Sequence, residues 1–244
     1  MPRAAGRTDV GRCRAVNEDT FGIVATAGAL AVGVYDGTGS FEGETAREAA
    51  SFEAARVVRE AFTAAPPPGS SEEAGRRLAD ALRAANRSLF DRAAARPEWR
   101  GLGTSATVAS IVGHQLTVAH VGDTRAYVLR AGALSQVSAD HTLLAALLAE
   151  RREVPAEEMQ RYQNIVLRTI GLIEEVEVDK SSLELRDGDA VLLCTDGLWR
   201  QLDDARLAAI VSMHPDPDAA CAALLDAANA AGGHDNATAV VVAV

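Results

Sequence analysis

Residues 30–37 read Leu-Ala-Val-Gly-Val-Tyr-Asp-Gly, a short apolar run that ends in an aspartate and a glycine. The pattern recurs at three other places: residues 116–121 lead into Gly122-Asp123, residues 190–195 lead into Asp196-Gly197, and Asp235-Asn236 precedes the run 237–242. Short apolar runs bounded by turn residues predict buried strands. Because such strands lie side by side in a core, we expect their terminal aspartates to meet at one rim.

These four residues, Asp36, Asp123, Asp196 and Asp235, predict a cation site. Several carboxylates cannot be buried together without a partner, because each lone buried ion is strongly destabilising. Oxygen ligands are the ones that Mg²⁺ and Mn²⁺ select. Asp-Gly is also a favoured turn dipeptide, so any one of these sites alone is more often a turn than a ligand. Four of them at four strand ends favour the cation site.

The composition indicates a globular protein of 244 residues, 48% hydrophobic, with a formal net charge of −10. We expect one domain over residues 1–244. The acidic balance argues against nucleic-acid binding, which needs a basic face, and against attraction to anionic membranes. The N-terminus lacks the apolar segment of a secretory signal, and no apolar run is long enough to span a membrane. We therefore expect a cytoplasmic protein.

The three cysteines, Cys13, Cys194 and Cys221, are far apart in the sequence. No pair has the spacing of a zinc site, and the set does not form a disulfide framework. Cys194 lies inside an apolar run, which predicts a small core residue.

The order of elements predicts an α+β fold with two antiparallel β-sheets packed as a sandwich and flanked on both sides by helices. We expect two or three strands in 8–34 with a turn at 27–28, and helices over 43–64 and 71–95, the second capped by Ser71. Hairpins are expected around 113–114 and 131–132. A mostly helical stretch follows over 142–161, broken at Pro155, within a surface flap over 142–164, with Asp140 interpreted as a helix cap. Strands over 182–185 and 190–194, helices over 203–213 and 217–230, and a closing strand complete the chain.

The motifs, in this order, resemble those of the metal-dependent protein serine/threonine phosphatases of the PPM family (type 2C-like), in their compact bacterial form. The resemblance runs from Thr8 to Val244. The matching segments are residues 8–19, 34–37, 43–46, 103–106, 121–127, 139–142, 194–198 and 233–238. Any one segment is weak evidence, but their common order makes the match specific.

The resemblance implies the same sandwich, with a centre of two Mn²⁺ or Mg²⁺ ions at one end. It implies that Asp36 bridges the two ions, with the Gly37 carbonyl as a further oxygen ligand and Asp196 and Asp235 completing one ion's shell. Asp19 and Glu18 would act nearby, largely through coordinated water. Asp123 matches the position that, with Asp196, holds a third ion in bacterial members. Arg14 matches the arginine that grips the substrate phosphate, so Arg14, Asp36 and Asp196 are the implied catalytic residues.

The chemistry of these residue types agrees with that assignment. Two cations about 3.5–4 Å apart lower the pKa of a shared water and stabilise an in-line displacement at phosphorus. A guanidinium suits the equatorial phosphate oxygens through its fixed donor fork. No Gly-x-Ser-x-Gly elbow occurs in the sequence, and the one Cys-x5-Arg spacing, from Cys194 to Arg200, begins at the cysteine that is predicted to be a core residue, so no covalent nucleophile is indicated. The expected partners are phosphorylated proteins, such as a Ser/Thr kinase or its targets, and the expected state is a monomer.

One loop departs from the pattern of the family. Residues 38–44 read Thr-Gly-Ser-Phe-Glu-Gly-Glu, one residue shorter than usual and without the customary histidine. Thr38 cannot serve as an imidazole general acid, so protonation of the leaving group would come from coordinated water or be weak. Two other functions stay open on the sequence alone: a silent module that binds phosphorylated partners, and a phosphatase of small phosphate esters. Cys13 and His234 have no assigned role.

Overall fold

The computed structural model describes residues 2–38, 44–96 and 99–244. Its strands are β1 Arg3–Asp9, β2 Asp19–Thr26, β3 Ala29–Thr38, β4 Gly103–Val112, β5 Gln115–Val121, β6 Arg125–Arg130, β7 Ala133–Gln136, β8 Asp179–Glu184, β9 Ala190–Cys194 and β10 Ala237–Ala243. Its helices are α1 Glu44–Thr63, α2 Ser71–Ala95, α3 Leu143–Ala149, α4 Ala156–Gln163, α5 Asp196–Trp199, α6 Asp204–Met213 and α7 Pro217–Ala230.

The strands form two five-stranded sheets, and every neighbouring pair is antiparallel. Sheet A has the order β1-β10-β9-β6-β7, and sheet B has the order β2-β3-β4-β5-β8. Helices α1 and α2 pack on sheet B, and α6 and α7 pack on sheet A. The predicted sandwich with helices on both sides is confirmed.

The sandwich has three layers of apolar packing, which explains why its central strands are apolar at nearly every position. In β3, Leu30, Val32 and Val34 face the other sheet, whereas Ala31 and Tyr35 face the helices. Successive side chains of a strand point to opposite faces, and both faces of this strand are covered. Such a strand therefore reads as a continuous apolar run rather than an alternating one.

Several local predictions are corrected by the structure. Ser70, not Ser71, caps α2, and its side chain accepts a hydrogen bond from the Glu73 amide. Thr142, not Asp140, caps α3 by accepting from the Ala145 amide. The short helix α5, which begins at Asp196, was missing from the sequence analysis.

Strand β1 lies almost wholly before the expected range of 8–34, and β8 begins three residues before the expected 182–185. The other boundaries are close to expectation. The turn at 27–28, both hairpins and the break around Pro155 are present. Residues 39–43 of the shortened loop lie outside the described residues. They include Gly43, the expected start of the first helix. Within the described ranges, no helix is both long and apolar enough to cross a membrane.

Candidate metal centre and active site

The four strand-end aspartates lie together at one end of the sandwich, where they line a cavity of about 320 Å³. We call these four residues, Asp36, Asp123, Asp196 and Asp235, the aspartate rim. The other residues that line this cavity are Arg14, Glu18, Gly37, Thr38, Ser105, Asn164, Val166, Arg200 and Asn236. The two sheets thus supply opposite walls of a single acidic cavity.

Two glycines permit this close approach. A side chain at Gly197 would place its Cβ 1.9 Å from the Asn236 carbonyl oxygen, so only glycine lets the residue after Asp196 lie against the residue after Asp235. Gly122 has a φ of +109°, and a Cβ there would lie 2.2 Å from Ser105 Oγ. Glycine adopts this left-handed conformation without strain. The apparent turn glycines of the motifs are therefore packing requirements of the cavity.

Asp36 is positioned by sheet B. It lies opposite Asp19 in the register of β2 and β3, and its carbonyl oxygen accepts a hydrogen bond from Thr104 Oγ1 at 2.8 Å. The next amide, that of Gly37, donates to the Glu18 carbonyl at 3.2 Å. These contacts fix the Asp36 side chain at the mouth of the sandwich.

Asp19 lies behind the cavity wall and is 4% exposed. Its Oδ2 accepts hydrogen bonds from Thr195 Oγ1 at 2.6 Å and from Thr238 Oγ1 at 2.8 Å. Burial raises the pKa of Asp19 to about 7, although the two hydroxyls oppose the shift. The structure places this predicted ligand beside Asp36 rather than on the cavity surface.

The carboxyls of the rim are electrostatically crowded. Burial raises the pKa of Asp36 well above its ordinary value, and the neighbouring Asp196 and Asp19 add to the shift. Burial also raises the pKa of Asp123, against the opposing charge of Arg200. Burial and the charge of Asp123 raise the pKa of Asp196 to about 6. Burial and mutual repulsion thus disfavour the charged forms of these groups.

Arg14 reaches the cavity from the loop between β1 and β2. Its Nη2 donates to Asp235 Oδ2 at 2.7 Å, and its side chain is about half exposed. The loop is held by Asn236, whose Nδ2 donates to the Val10 and Val16 carbonyls at 2.9 Å each. Asn236 Oδ1 accepts from the Glu18 amide at 2.9 Å. One asparagine side chain therefore fixes the segment that presents Arg14.

Sequence reasoning missed three polar side chains of the cavity, Ser105, Asn164 and Arg200, and the apolar Val166. Ser105 Oγ donates to Asp123 Oδ1 at 3.0 Å. Arg200 Nη2 lies 3.0 Å from Asp123 Oδ2 and 3.0 Å from Asp196 Oδ2, and its Nη1 donates to Asn164 Oδ1. Residues four apart in a helix share a face, so Arg200 follows from Asp196 once α5 is known. Ser105 and Asn164 carry no such local signal.

Asp140 has a structural role that differs from the predicted cap. Arg125 donates to both of its carboxylate oxygens, at 2.9 Å and 2.6 Å. The adjacent His141 accepts a hydrogen bond at Nδ1 from the Gly122 amide at 3.1 Å. This pair of residues holds the loop that carries Asp123 in place.

Cys13 and His234, which have no assigned role, are near each other, with Sγ and Nδ1 3.8 Å apart.

Residues 12–227 match the family model described as "Protein phosphatase 2C". The chain belongs to the protein phosphatase 2C family. The resemblance read from the motifs is thereby confirmed, since this is the type 2C-like family of metal-dependent phosphatases to which they pointed.

Two relatives of this chain are named as serine/threonine phosphatases. The chain is 32% identical over 242 residues to the serine/threonine protein phosphatase PstP of Mycobacterium tuberculosis, covering 99% of this chain but only 45% of PstP. It thus spans less than half the length of this curated relative. It is 30% identical to the serine/threonine phosphatase stp of Listeria innocua, covering 97% of this chain and 93% of that protein.

Solved structures agree with the fold. The S. agalactiae serine/threonine phosphatase has a TM-score of 0.91 at 26% identity, with both chains fully covered. The catalytic domain of PstP, solved in complex with two manganese ions, has a TM-score of 0.84 at 32% identity, covering 99% of this chain and 97% of that one.

The donor chemistry of the cavity fits a hard divalent cation. The rim offers oxygen ligands only, and its negative charges outnumber the two arginines that contact it. Asp36 and Asp196 are within hydrogen-bonding reach of each other. Within the described ranges, no group of three or more histidine, cysteine, aspartate or glutamate side chains is already arranged to hold a metal ion. The raised pKa values of Asp36, Asp123 and Asp196 mark charge that a divalent cation would offset.

Proposed function

We propose that this member of the protein phosphatase 2C family hydrolyses phosphoserine and phosphothreonine in proteins, using two Mn²⁺ or Mg²⁺ ions at the aspartate rim. The observation that carries the proposal is the convergence of four aspartates from both sheets on one cavity beside Arg14. The manganese-bound structure of the PstP catalytic domain supports the choice of ion. The substrates, and any opposing kinase, are part of the same proposal.

The ligands in this proposal are Asp36, the Gly37 carbonyl, Asp196 and Asp235, with Asp19 acting from behind through water. When bound, the two cations would supply charge neutralisation and lower the pKa of water at neutral pH. The chain's own contribution is to hold the oxygen ligands in a fixed, largely buried frame. Thr104 and the β2–β3 register fix Asp36, and the Gly197 contact fixes the distance between the strands that carry Asp196 and Asp235.

Arg14 would bind the phosphate of the substrate. Its side chain is 45% exposed, so an incoming phosphate can reach the guanidinium, and its partner Asp235 is 36% exposed. Guanidinium donors pair with phosphate oxygens in a bidentate geometry. In the proposed centre Asp235 serves a cation, which leaves the guanidinium available to the substrate.

The experiment that tests the proposal measures phosphate release from a phosphothreonine peptide with Mn²⁺, Mg²⁺ or a chelator. We expect release with either ion, none with chelator, and a loss of several orders of magnitude in Asp196→Asn. Asp80→Asn removes an exposed helix carboxylate and is the matched control, with unchanged release. No release with any ion from the folded protein would favour the silent binding module. Release from p-nitrophenyl phosphate alone would favour a small-ester phosphatase.

Arg14→Ala provides a separate test of the phosphate site. We expect a raised KM for the phosphopeptide with a smaller effect on kcat, since the arginine is proposed to bind the phosphate group. Arg14→Lys keeps the charge but loses the bidentate fork, so its KM should lie between that of the wild type and that of Arg14→Ala. Steady-state kinetics at saturating Mn²⁺ measure both, and an unchanged KM in Arg14→Ala would remove Arg14 from the phosphate site.

A further inference from the structure

One guanidinium stands between two carboxylates of the aspartate rim. Arg200 Nη2 lies 3.0 Å from Asp123 Oδ2 and 3.0 Å from Asp196 Oδ2, so a single nitrogen contacts both groups. The side chain is 27% exposed, and Asp123 and Asp196 are 5% and 15% exposed. The charged group therefore occupies a mostly enclosed position.

The surroundings of Arg200 hold it in this position. It caps the C-terminus of α5, one helical turn after Asp196, and its guanidinium carbon is 5.1 Å from the centre of the Trp199 ring. The indole in turn donates from Nε1 to the Asp123 carbonyl at 3.0 Å. Arg125 stacks on the same ring at 3.6 Å. Arg200 thus belongs to a packed framework rather than to the mobile surface.

The position of the guanidinium matters for cation binding. Mg²⁺ sits at about 2.0–2.1 Å from its oxygen ligands, so a cation between Asp123 and Asp196 would need the space that Nη2 fills. Arginine stays protonated at all ordinary pH values and cannot leave the pair by losing its charge. Asp36 differs from the Asp123–Asp196 pair in its neighbours. The charges that act most strongly on it are the carboxylates of Asp196, Asp19 and Asp123.

The same guanidinium contacts the flap, residues 142–164. Its Nη1 donates to Asn164 Oδ1, and Asn164 is the residue that ends α4. Val166, two residues later, lines the cavity and pairs with Thr142 in an isolated bridge. Arg200 therefore joins two rim aspartates to the end of the flap.

On the basis of the proposed function, we infer that Arg200 is a built-in cation for the Asp123–Asp196 pair, so that this pair binds no ion of its own. The centre then holds two metal ions rather than three. Through Asn164 the same side chain anchors the flap beside the cavity. Arg200 is a positioning residue in this scheme and does not contact the reacting atoms.

The test counts Mn²⁺ ions bound per chain by equilibrium dialysis with elemental analysis, using Mn²⁺ alone. We expect two ions in the wild-type protein and two in Asp123→Asn, because Asp123 is paired with Arg200. We expect three ions in Arg200→Gln and two again in Arg200→Gln combined with Asp123→Asn. Arg161→Gln removes an exposed flap arginine and is the matched control, with two ions. Arg200→Lys keeps the charge and should also bind two.

The outcomes separate this inference from the proposed function. Three ions in the wild type, with one lost in Asp123→Asn, would overturn the inference and leave the phosphatase proposal intact. Two ions in a folded Arg200→Gln would also overturn it. No bound Mn²⁺ in the folded wild type would contradict the metal centre itself. For the flap, amide hydrogen exchange in α4 should be faster in Arg200→Gln and Asn164→Ala than in Arg161→Gln, and equal exchange would exclude the anchor.

Discussion

Two carboxylates in different parts of this molecule have the same side-chain exposure but different electrostatic surroundings. Asp123 on the rim and Glu53 in α1 each have a side chain that is 5% exposed. Glu53 accepts from Arg56 Nη2 at 2.8 Å and from Ser88 Oγ at 2.6 Å, and it pairs with Arg92 at 3.0 Å. Hydrogen bonding to Arg56, together with Ser88 and Arg92, lowers the pKa of Glu53 to about 2, whereas burial raises that of Asp123.

The difference shows that burial alone does not identify a functional carboxylate. The Glu53 cluster has more positive than negative groups around one carboxylate and joins α1 to α2. The charge of Glu53 therefore stabilises the packing of these two helices. The aspartate rim has more carboxylates than arginines, so its charge opposes folding until a cation arrives. Strongly perturbed pKa values that come from burial and like charges are typical of functional sites. The following predictions test this contrast.

Asp36→Asn should have the largest effect. We expect turnover to fall by several orders of magnitude, because the residue lines the cavity and is the proposed bridging ligand. In chelator, the variant should melt at a higher temperature than the wild type, since it removes a charge that Asp196 and Asp19 repel. Kinetics with Mn²⁺ and thermal unfolding in chelator measure the two effects. A lower melting temperature in chelator would mean that the rim behaves like the Glu53 cluster.

Cation binding should stabilise the protein through the rim alone. A ligand that binds only the folded state at 100 times its dissociation constant adds about 2.7 kcal/mol to the free energy of unfolding. We expect a gain of this size for the wild type and for Glu53→Gln in Mn²⁺. Asp36→Asn should lose most of the gain. Urea unfolding with Mn²⁺ and with chelator gives the values, and an equal gain in all three proteins would place the cation elsewhere.

Glu53→Gln should destabilise the protein without altering its chemistry. Hydrogen bonds to charged groups contribute about 1.5–3 kcal/mol each, and this variant weakens those to Arg56 and Arg92. We therefore expect the free energy of unfolding to fall by about 2 kcal/mol, with kcat unchanged at a temperature where the protein stays folded. Urea unfolding in chelator measures the loss. Glu60→Gln, at an exposed carboxylate on the same helix, should cost much less.

The smallest effect concerns pH. The pKa of Glu53 is lowered from 4.5 to about 2, so its stabilisation is present above pH 4.5 and is lost as the pH falls towards 2. The gap in unfolding free energy between wild type and Glu53→Gln should therefore narrow by about 1 kcal/mol between pH 6 and pH 3.5. Urea unfolding at several pH values in chelator checks this. A gap that does not change with pH would mean that Glu53 titrates normally in the folded protein.

Much of the fold and the rim could be predicted because their signals are local. Each rim aspartate stands beside an apolar run or one residue away from it, and the end of a strand is set by where that run stops. The loop and hairpin glycines mark the same ends. This is why Asp36, Asp123, Asp196 and Asp235 could be placed on one rim, although their roles as ligands stay predictions.

The rest depends on contacts between distant residues. Ser105 meets Asp123 only because β4 pairs with β5, and Asn164 meets Arg200 only when the flap folds over the cavity. Asp140 resembled a cap because it precedes a helix, but Arg125, fifteen residues earlier, binds it instead. None of these three contacts leaves a periodic pattern in the sequence. Arg200 was missed for a different reason, since it depended on recognising a single helical turn.

The pairing of the first and last strands has a consequence for biosynthesis. Strand β1 pairs along its whole length with β10, from Arg3 with Ala243 to Asp9 with Ala237. The loop that carries Arg14 leaves the ribosome early, but its anchor Asn236 is made 220 residues after Val16, which it holds. Contacts that are so distant in sequence form late in folding. A nascent chain, or one that lacks β10, therefore lacks the contacts that order the Arg14 loop, and the proposed phosphate site forms only after the strand at 237–243 has been made.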